Sequence, residues 1–342
     1  QIARLCKEHD AYRWICGGVP INYHTLSDFR VAHQEALDGL LTEILASMMD
    51  AGLVRLHHVA QDGMRVRASA GASSFRREPT LQRCLAEAEQ QVATLAAERE
   101  QPDPGRNARQ EAARERAAQE RQRRVETALR RMPKIQAAKE RSKRTESKAK
   151  RKKVSEARVS TTDPEARVMK MSDGGFRPAY NLQLATDEDS QVILGVAVDT
   201  TGSDGGQAPP VLEQVVGRTG RLPEAYLMDG SFARREDVTA LERRGVTVYA
   251  PTRSPRTTTS GRTKADPQPD DTPEVARWRK RMETEEAKET YKGHAATSEC
   301  VNTHARRHSL AHLLVRGTRN VLSVLLLVAI THNLLRWIAL SA

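Results

Sequence analysis

Two aspartates, Asp62 and Asp229, each close a short apolar run and are each followed by glycine, in "VAQDG" and "YLMDG". A carboxylate at such a strand end, with glycine behind it, leaves the backbone open to an approaching ligand. One Asp-Gly pair most often only makes a turn, whereas two at equivalent strand ends suggest a shared site. Were the strands neighbours, the two carboxylates would repel each other strongly. Divalent cations relieve such repulsion, and hard oxygen ligands select Mg2+ or Mn2+. A third carboxylate is expected from a helix packed over the sheet. In "RMETEEAKETYKGHAATSECVNTHARRHSL", Glu283, Glu285, Glu286 and Glu289 are spaced for ordinary surface pairs with Lys and Arg. Glu299 differs, because small residues surround it on a face that can pack. Tyr291, Lys292 and His294 precede it and Arg306 follows. The plainer reading of Glu299, a buried hydrogen-bonded carboxylate, competes with a role in the site.

The elements that must hold these residues follow from periodicity. "LVRLHHVAQDG" reads as a strand ending at Asp62. "AYNLQLATD" (179–187) and "VILGVAVDT" (192–200) have period two and, joined by "EDSQ", read as a hairpin. A helix over 208–219, a strand in "EAYLMDGSF", a helix over 235–245 and the strand "VTVYAP" come next. After the Ser/Thr/Pro-rich "TRSPRTTTSGRTKADPQPDDTP" the chain reads as helical to its end. Asn181 and Gln183 alternate with Leu182 and Leu184, and a structural strand is the favoured reading over a polar face lining a cleft. His332 and Asn333, in a strongly apolar helix, read as satisfied buried polar groups. The run "VLSVLLLVAI" (321–330) is too short to span a bilayer and reads as a buried helix.

Before the first strand, Phe29, Leu37, Leu41, Ile44, Leu45 and Met48 fall at helical spacing over 26–53, with Thr25 as the N-cap. With the Gly-Pro turn at 17–20, residues 1–53 form a helical N-terminal module. It is either a DNA reader of helix-turn-helix type or a structural cap. Residues 54–78 open the core, and at 79–155 the composition changes. Leu81, Leu85, Ala88, Val92 and Leu95 make a heptad seam. "QPDPG" (101–105) stops that helix, and a second, rich in Ala, Arg and Glu, runs to Pro133. This is a basic helical hairpin inserted into a sheet domain. Its far end, "KERSKRTESKAKRKK", is a solvated helix, a linker or a phosphate-tracking arm. Residues 156–342 complete an α/β core, a mixed sheet flanked by helices.

The 342 residues carry 55 Lys and Arg against 44 Asp and Glu, a net charge of +11 that is bunched rather than spread. That favours a polyanionic partner, nucleic acid ahead of a membrane. Aromatic residues are only 4%, so phosphate contacts are expected rather than base stacking. Arg65, Arg67, Arg76 and Arg77, clustered after Asp62, are candidates. Cys6, Cys16, Cys84 and Cys300 show no CxxC spacing and read as reduced thiols.

The pieces "AYRWICGGVPINYHTLSDFRVAH", "VAQDGMRVRASAGASSFRR", "MSDGGFRPAYNLQLATD", "DGSFARRED", "YKGHAATSECVN" and "THNLLRW" together resemble bacterial insertion-sequence transposases of the DDE type, over nearly the whole chain. The resemblance implies an RNase H-like core whose acidic triad, carried over to Asp62, Asp229 and Glu299, binds Mg2+ or Mn2+. It implies cleavage and strand transfer at insertion-sequence ends by in-line attack, first of water and then of a freed 3′-hydroxyl. It further implies contacts to DNA from Tyr291, Lys292, His294 and Arg306. The implied partners are double-stranded DNA, as terminal inverted repeats and target, and a second copy of the chain in a synaptic complex, in a cytoplasmic, nucleoid-associated setting without a membrane. His294 stands where many relatives carry Arg, and the step on to Glu299 is one residue longer than the commonest spacing. A catalytically decayed, transposase-derived DNA-binding protein or repressor is the alternative.

Overall fold

The computed structural model describes residues 2–100, 107–145, 156–252, 266, 268–307 and 310–342. The chain divides into two compact units, one of Gln1–Val66, Asn181–Ala311 and Thr318–Ala342, the other of Arg67–Tyr180 and His312–Gly317.

The first unit opens with helices α1 (Ile2–Glu8), α2 (Asp10–Ile15), α3 (Tyr23–Ala32) and α4 (Gln34–Asp50). The helix expected over 26–53 is two helices, broken at His33, and its N-cap is Asn22 rather than Thr25. The Asn22 side chain accepts from the Thr25 N–H at 2.9 Å, the bond expected of a good cap. Strand β1 (His58–Arg67) follows. It does not stop at Asp62, because Met64 and Val66 continue the alternation and are buried. Past the second unit the first resumes with β5 (Phe176–Asp187, from Asn181), β6 (Ile193–Asp199), α7 (Ala208–Thr219), β7 (Ala225–Met228), α8 (Arg235–Arg243), β8 (Thr247–Tyr249), α9 (Pro273–Arg281), α10 (Glu285–Arg307) and α11 (Thr318–Leu340). The sheet runs β5-β1-β7-β8, with β6 antiparallel on β5, and β1, β7 and β8 parallel to one another. A mixed sheet flanked by helices is the RNase H-like arrangement expected above.

The core of this unit lies where α11 meets β6 and α4, and where α7 meets β6 and α4. Leu41, Leu45, Met48, Ile193, Leu194, Val211, Val215 and Leu325 are fully or almost fully buried there, each stabilising by roughly 1.5–3 kcal/mol. Although the apolar run at 321–330 is short, the helix that contains it has 23 residues and is long and apolar enough to cross a membrane. Here it serves as a core helix. Asn333 brackets Ile193, accepting from its N–H and donating to its carbonyl, both at 2.8 Å, and His332 Nε2 meets the Gln191 carbonyl. Both are the satisfied buried polar groups expected.

The second unit holds β2 (Phe75–Arg76), α5 (Glu78–Glu100), α6 (Ala108–Thr145), β3 (Val159–Ser160), β4 (Arg167–Lys170) and the start of β5. The stop expected at 101–105 lies outside the described residues. Helix α6 does not end at Pro133 but runs through it. An interior proline costs about 3 kcal/mol. Met132 and Ile135, buried beside it against Leu81, Ala128 and Val159, each return roughly 2–3 kcal/mol, so the helix continues.

Candidate active site

Parallel pairing of β1 with β7 sets Gln61 opposite Met228. Asp62 and Asp229 each follow this last pair by one residue, Asp62 within β1 and Asp229 just past the end of β7. Asp229 is exposed and Asp62 half-buried. Gly63 N–H donates to Asp62 Oδ1 at 2.7 Å. Burial pushes the Asp62 carboxyl above the ordinary aspartate range and the nearby Asp204 charge adds to this, against the Gly63 N–H, His294 and Asn302, which favour the ion.

Helix α10 lies over this pair. Thr284 caps its start, its hydroxyl accepting from the Ala287 N–H. The buried face carries His294, Thr297, Ser298, Val301 and Ala305. His294 Nε2 lies 3.0 Å from the Gln61 carbonyl oxygen; a carbonyl only accepts, so that nitrogen carries a proton. Asn302 Nδ2 donates to Asp62 Oδ2 at 2.7 Å. Ser298, midway between them along the helix, is 7% exposed. Glu299 follows about 100° further round the helix and is exposed, not on the packing face expected for it. Tyr291 stacks on His294, with centroids 5.4 Å apart and planes at 9°. Burial, then the charges of Asp229 and Asp62, push its phenol up to about 12. Both carboxylates thus act on the same side chain.

The helix is seated through Gly293. A Cβ there would overlap the carboxylate of Glu188, which also meets His58 Nδ1 at 2.6 Å.

The basic candidates separate. Arg65 donates to the Gly202 carbonyl at 3.3 Å and lies 4.0 Å from Asp204. Lys292, exposed, pairs with Glu289, and Arg306 is exposed. Arg67 and Arg76, both exposed, and Arg77, paired with Glu156, belong to the other unit.

Sequence reasoning missed Asp204, in the polar segment "TTGSDGGQ". It accepts from Asn181 Nδ2 at 2.6 Å, Gln183 Nε2 at 3.3 Å and Ser231 Oγ at 3.0 Å, and Ser231 Oγ also lies 3.4 Å from Asp229 Oδ2. The polar face of β5 is therefore fully buried and faces Asp204 rather than solvent. Two amides on an otherwise apolar buried strand need a polar partner, and that was the available clue.

Among the described residues no three His, Cys, Asp or Glu side chains stand close enough to hold a metal ion together. Two neighbouring carboxylates nonetheless suit Mg2+, which keeps several waters and commonly takes one or two carboxylates plus substrate phosphate oxygens. The donor set is oxygen throughout, so the residues present fit such a cation.

Residues 144–334 match the family model of the transposase DDE domain, more than half of the chain. The matched segment contains Asp204, Asp229 and Glu299 and begins after Asp62. No curated protein and no solved structure matches the chain.

Proposed function

Since the chain belongs to the transposase DDE domain family, whose members normally use a divalent metal, we propose that it is a metal-dependent DNA transposase that cleaves and joins strands at insertion-sequence ends. The observation that supports this reading is that Asp62 and Asp229 each come one residue after the last paired positions of two adjacent parallel strands, with both charges acting on Tyr291. Asp62 and Asp229 would hold Mg2+ or Mn2+, with Glu299, the one carboxylate of α10 beyond Tyr291, as the third member. The bound cation supplies activation of the attacking oxygen and stabilisation of the leaving 3′ oxygen. The chain's own residues do the rest. Asn302 and Gly63 fix the Asp62 carboxylate by two hydrogen bonds. His294 ties α10 to β1. Lys292 and Arg306, exposed on α10, would meet phosphates, and so would Arg65.

DNA would also lie along the other unit, where Arg114, Arg116, Arg123, Arg130 and Lys134 are exposed on α6 together with Arg67, Arg76 and Arg77. The N-terminal helices would read the terminal inverted repeat, and two copies would bring two ends together, in the cytoplasm. The test is nicking of supercoiled plasmid carrying the element ends, with Mg2+ or Mn2+, by wild type and by Asp62→Asn and Asp229→Asn. Nicks from wild type alone support the reading. Equal nicking by all three overturns it.

A second reading, a DNA-binding protein without catalysis, is favoured by two observations. His294 is buried on the Gln61 carbonyl, and Glu299 is exposed, while the side chain of this helix that bonds Asp62 is Asn302. It predicts tight binding of the same DNA without nicks.

A further inference from the structure

Asp204 ends a directed chain of hydrogen bonds. The Tyr226 hydroxyl donates to Gln61 Oε1 at 2.7 Å, and Gln61 Nε2 donates to Gln183 Oε1 at 3.0 Å. That fixes the Gln183 amide so that its Nε2 points to Asp204 Oδ1. Asn181 donates to the same oxygen, and Ser231 lies on Oδ2. The two oxygens of Asp204 thus accept from three side-chain donors.

Two further observations give this group a purpose beyond closing a loop. Asn181 is fully buried and its own Oδ1 has no hydrogen-bond partner. A buried acceptor left unmade is costly, and here the amide has turned its nitrogen to Asp204 at that expense. At Gly63, beside Asp62 on β1, a Cβ would come within 2.5 Å of Asp204 Oδ1. The carboxylate thus occupies the space that this glycine leaves open. Ser231 then stands between two carboxylates, 3.0 Å from Asp204 and 3.4 Å from Asp229. Its one proton lies between two acceptors in a three-centre arrangement: the shorter contact to Asp204 anchors the hydroxyl, and the longer one reaches Asp229 Oδ2.

We propose that Asp204 is a positioning residue for the carboxylate pair: acting through Ser231, it fixes the Asp229 side chain for cation binding. This rests on the reading of Asp62 and Asp229 as cation ligands. Asp204 would not touch the cation; Arg65 lies 4.0 Å from its Oδ2.

The experiment titrates Mn2+ into the full-length protein by calorimetry and electron paramagnetic resonance, with a melting curve for each variant. Outer partners of metal ligands typically contribute about 10–100-fold in metal affinity. Ser231→Ala, which leaves the bonds from Asn181 and Gln183 to Asp204 intact, is expected to weaken Mn2+ by about that factor without lowering the melting temperature. Ser231→Thr, which keeps the hydroxyl, is expected to restore it. Asp204→Asn is expected to match Ser231→Ala; should it fail to fold, the serine pair decides. Wild-type Mn2+ affinity in Ser231→Ala, with affinity lost in Asp229→Asn, overturns the positioning role alone. Unchanged affinity in Asp62→Asn and Asp229→Asn, or no Mn2+ binding by wild type, overturns the carboxylate-pair reading and this inference with it.

Discussion

Asn302 donates to Asp62 across 240 residues of sequence, at 2.7 Å. The side chain by which α10 meets the first aspartate is thus an amide and not an acid. It holds Asp62 Oδ2 as Gly63 holds Oδ1, so the carboxylate has little rotational freedom left. Asn302→Ala is expected to lower metal-dependent plasmid nicking about 10–100-fold, the usual scale for an outer partner of a metal ligand, with DNA binding retained. Nicking rates and gel-shift affinity measured on one preparation check both halves.

Glu299 is the sharper case. One residue beyond Ser298 puts it about 100° round the helix, and it is exposed. If it completes the triad, Glu299→Gln removes nicking as fully as Asp62→Asn does. Nicking by Glu299→Gln at the wild-type rate would show that two aspartates suffice.

Gly293 and Glu188 form a steric pair that can be tested without any DNA. Gly293→Ala must displace the Glu188 carboxylate and with it the bond to His58. A loss of roughly 1–3 kcal/mol is expected, as for other overpacked sites. In the Glu188→Ala background the same change should be nearly neutral. Urea midpoints of the four proteins in the cycle give the coupling directly.

Asp187 makes stability depend on pH. Its fully buried carboxylate accepts from the Leu56 N–H at 3.1 Å and from the Ser190 N–H and hydroxyl at 3.0 and 2.6 Å. Burial outweighs these bonds, which favour the ion, and pushes its pKa up. The folded protein therefore holds this proton more tightly than the unfolded chain. Its contribution is complete below the unfolded value of about 3.9 and is lost as pH rises through the raised folded value. Asp163 and Asp237, also raised by burial, act in the same direction. Urea midpoints measured from pH 4 to 7 should fall less steeply in Asp187→Asn than in wild type.

The basic face of α6 makes a salt-dependent prediction. If Arg123, Arg130 and Lys134 each neutralise one phosphate, replacing all three by Ala should flatten the slope of log K against log salt by about 2.7, at roughly 0.9 per contact. An unchanged slope would remove α6 from the DNA-binding surface.

Sequence showed β1, β5, β6, β7 and β8 and drew Asp62 and Asp229 out as candidates because both signals are local: an alternation of apolar residues, and Asp-Gly at the end of an apolar run; the short β2, β3 and β4 carry too few residues to show a period. It misjudged where β1 ends because the glycine was read as a stop. The alternation of Met64 and Val66 just beyond it was the better guide. The passage of α6 through Pro133 was hidden because proline's cost is local, whereas the burial that offsets it comes from Leu81 and Val159, far along the chain. Asp204 was missed for a related reason. Its loop has no periodicity, and its importance comes from three donors on two other segments. The seating of α10 on Glu188 likewise depends on a glycine whose neighbour no sequence spacing reveals.

The interleaving of the two units also bears on synthesis. Asp62 leaves the ribosome long before Asp229, and Asn302 arrives later still. At about 5–20 residues per second the first aspartate waits roughly 10–50 s for the amide that holds it. On the proposed reading, a polypeptide cut short anywhere before that point is harmless to the genome: it can carry cationic helices but no assembled cutting centre.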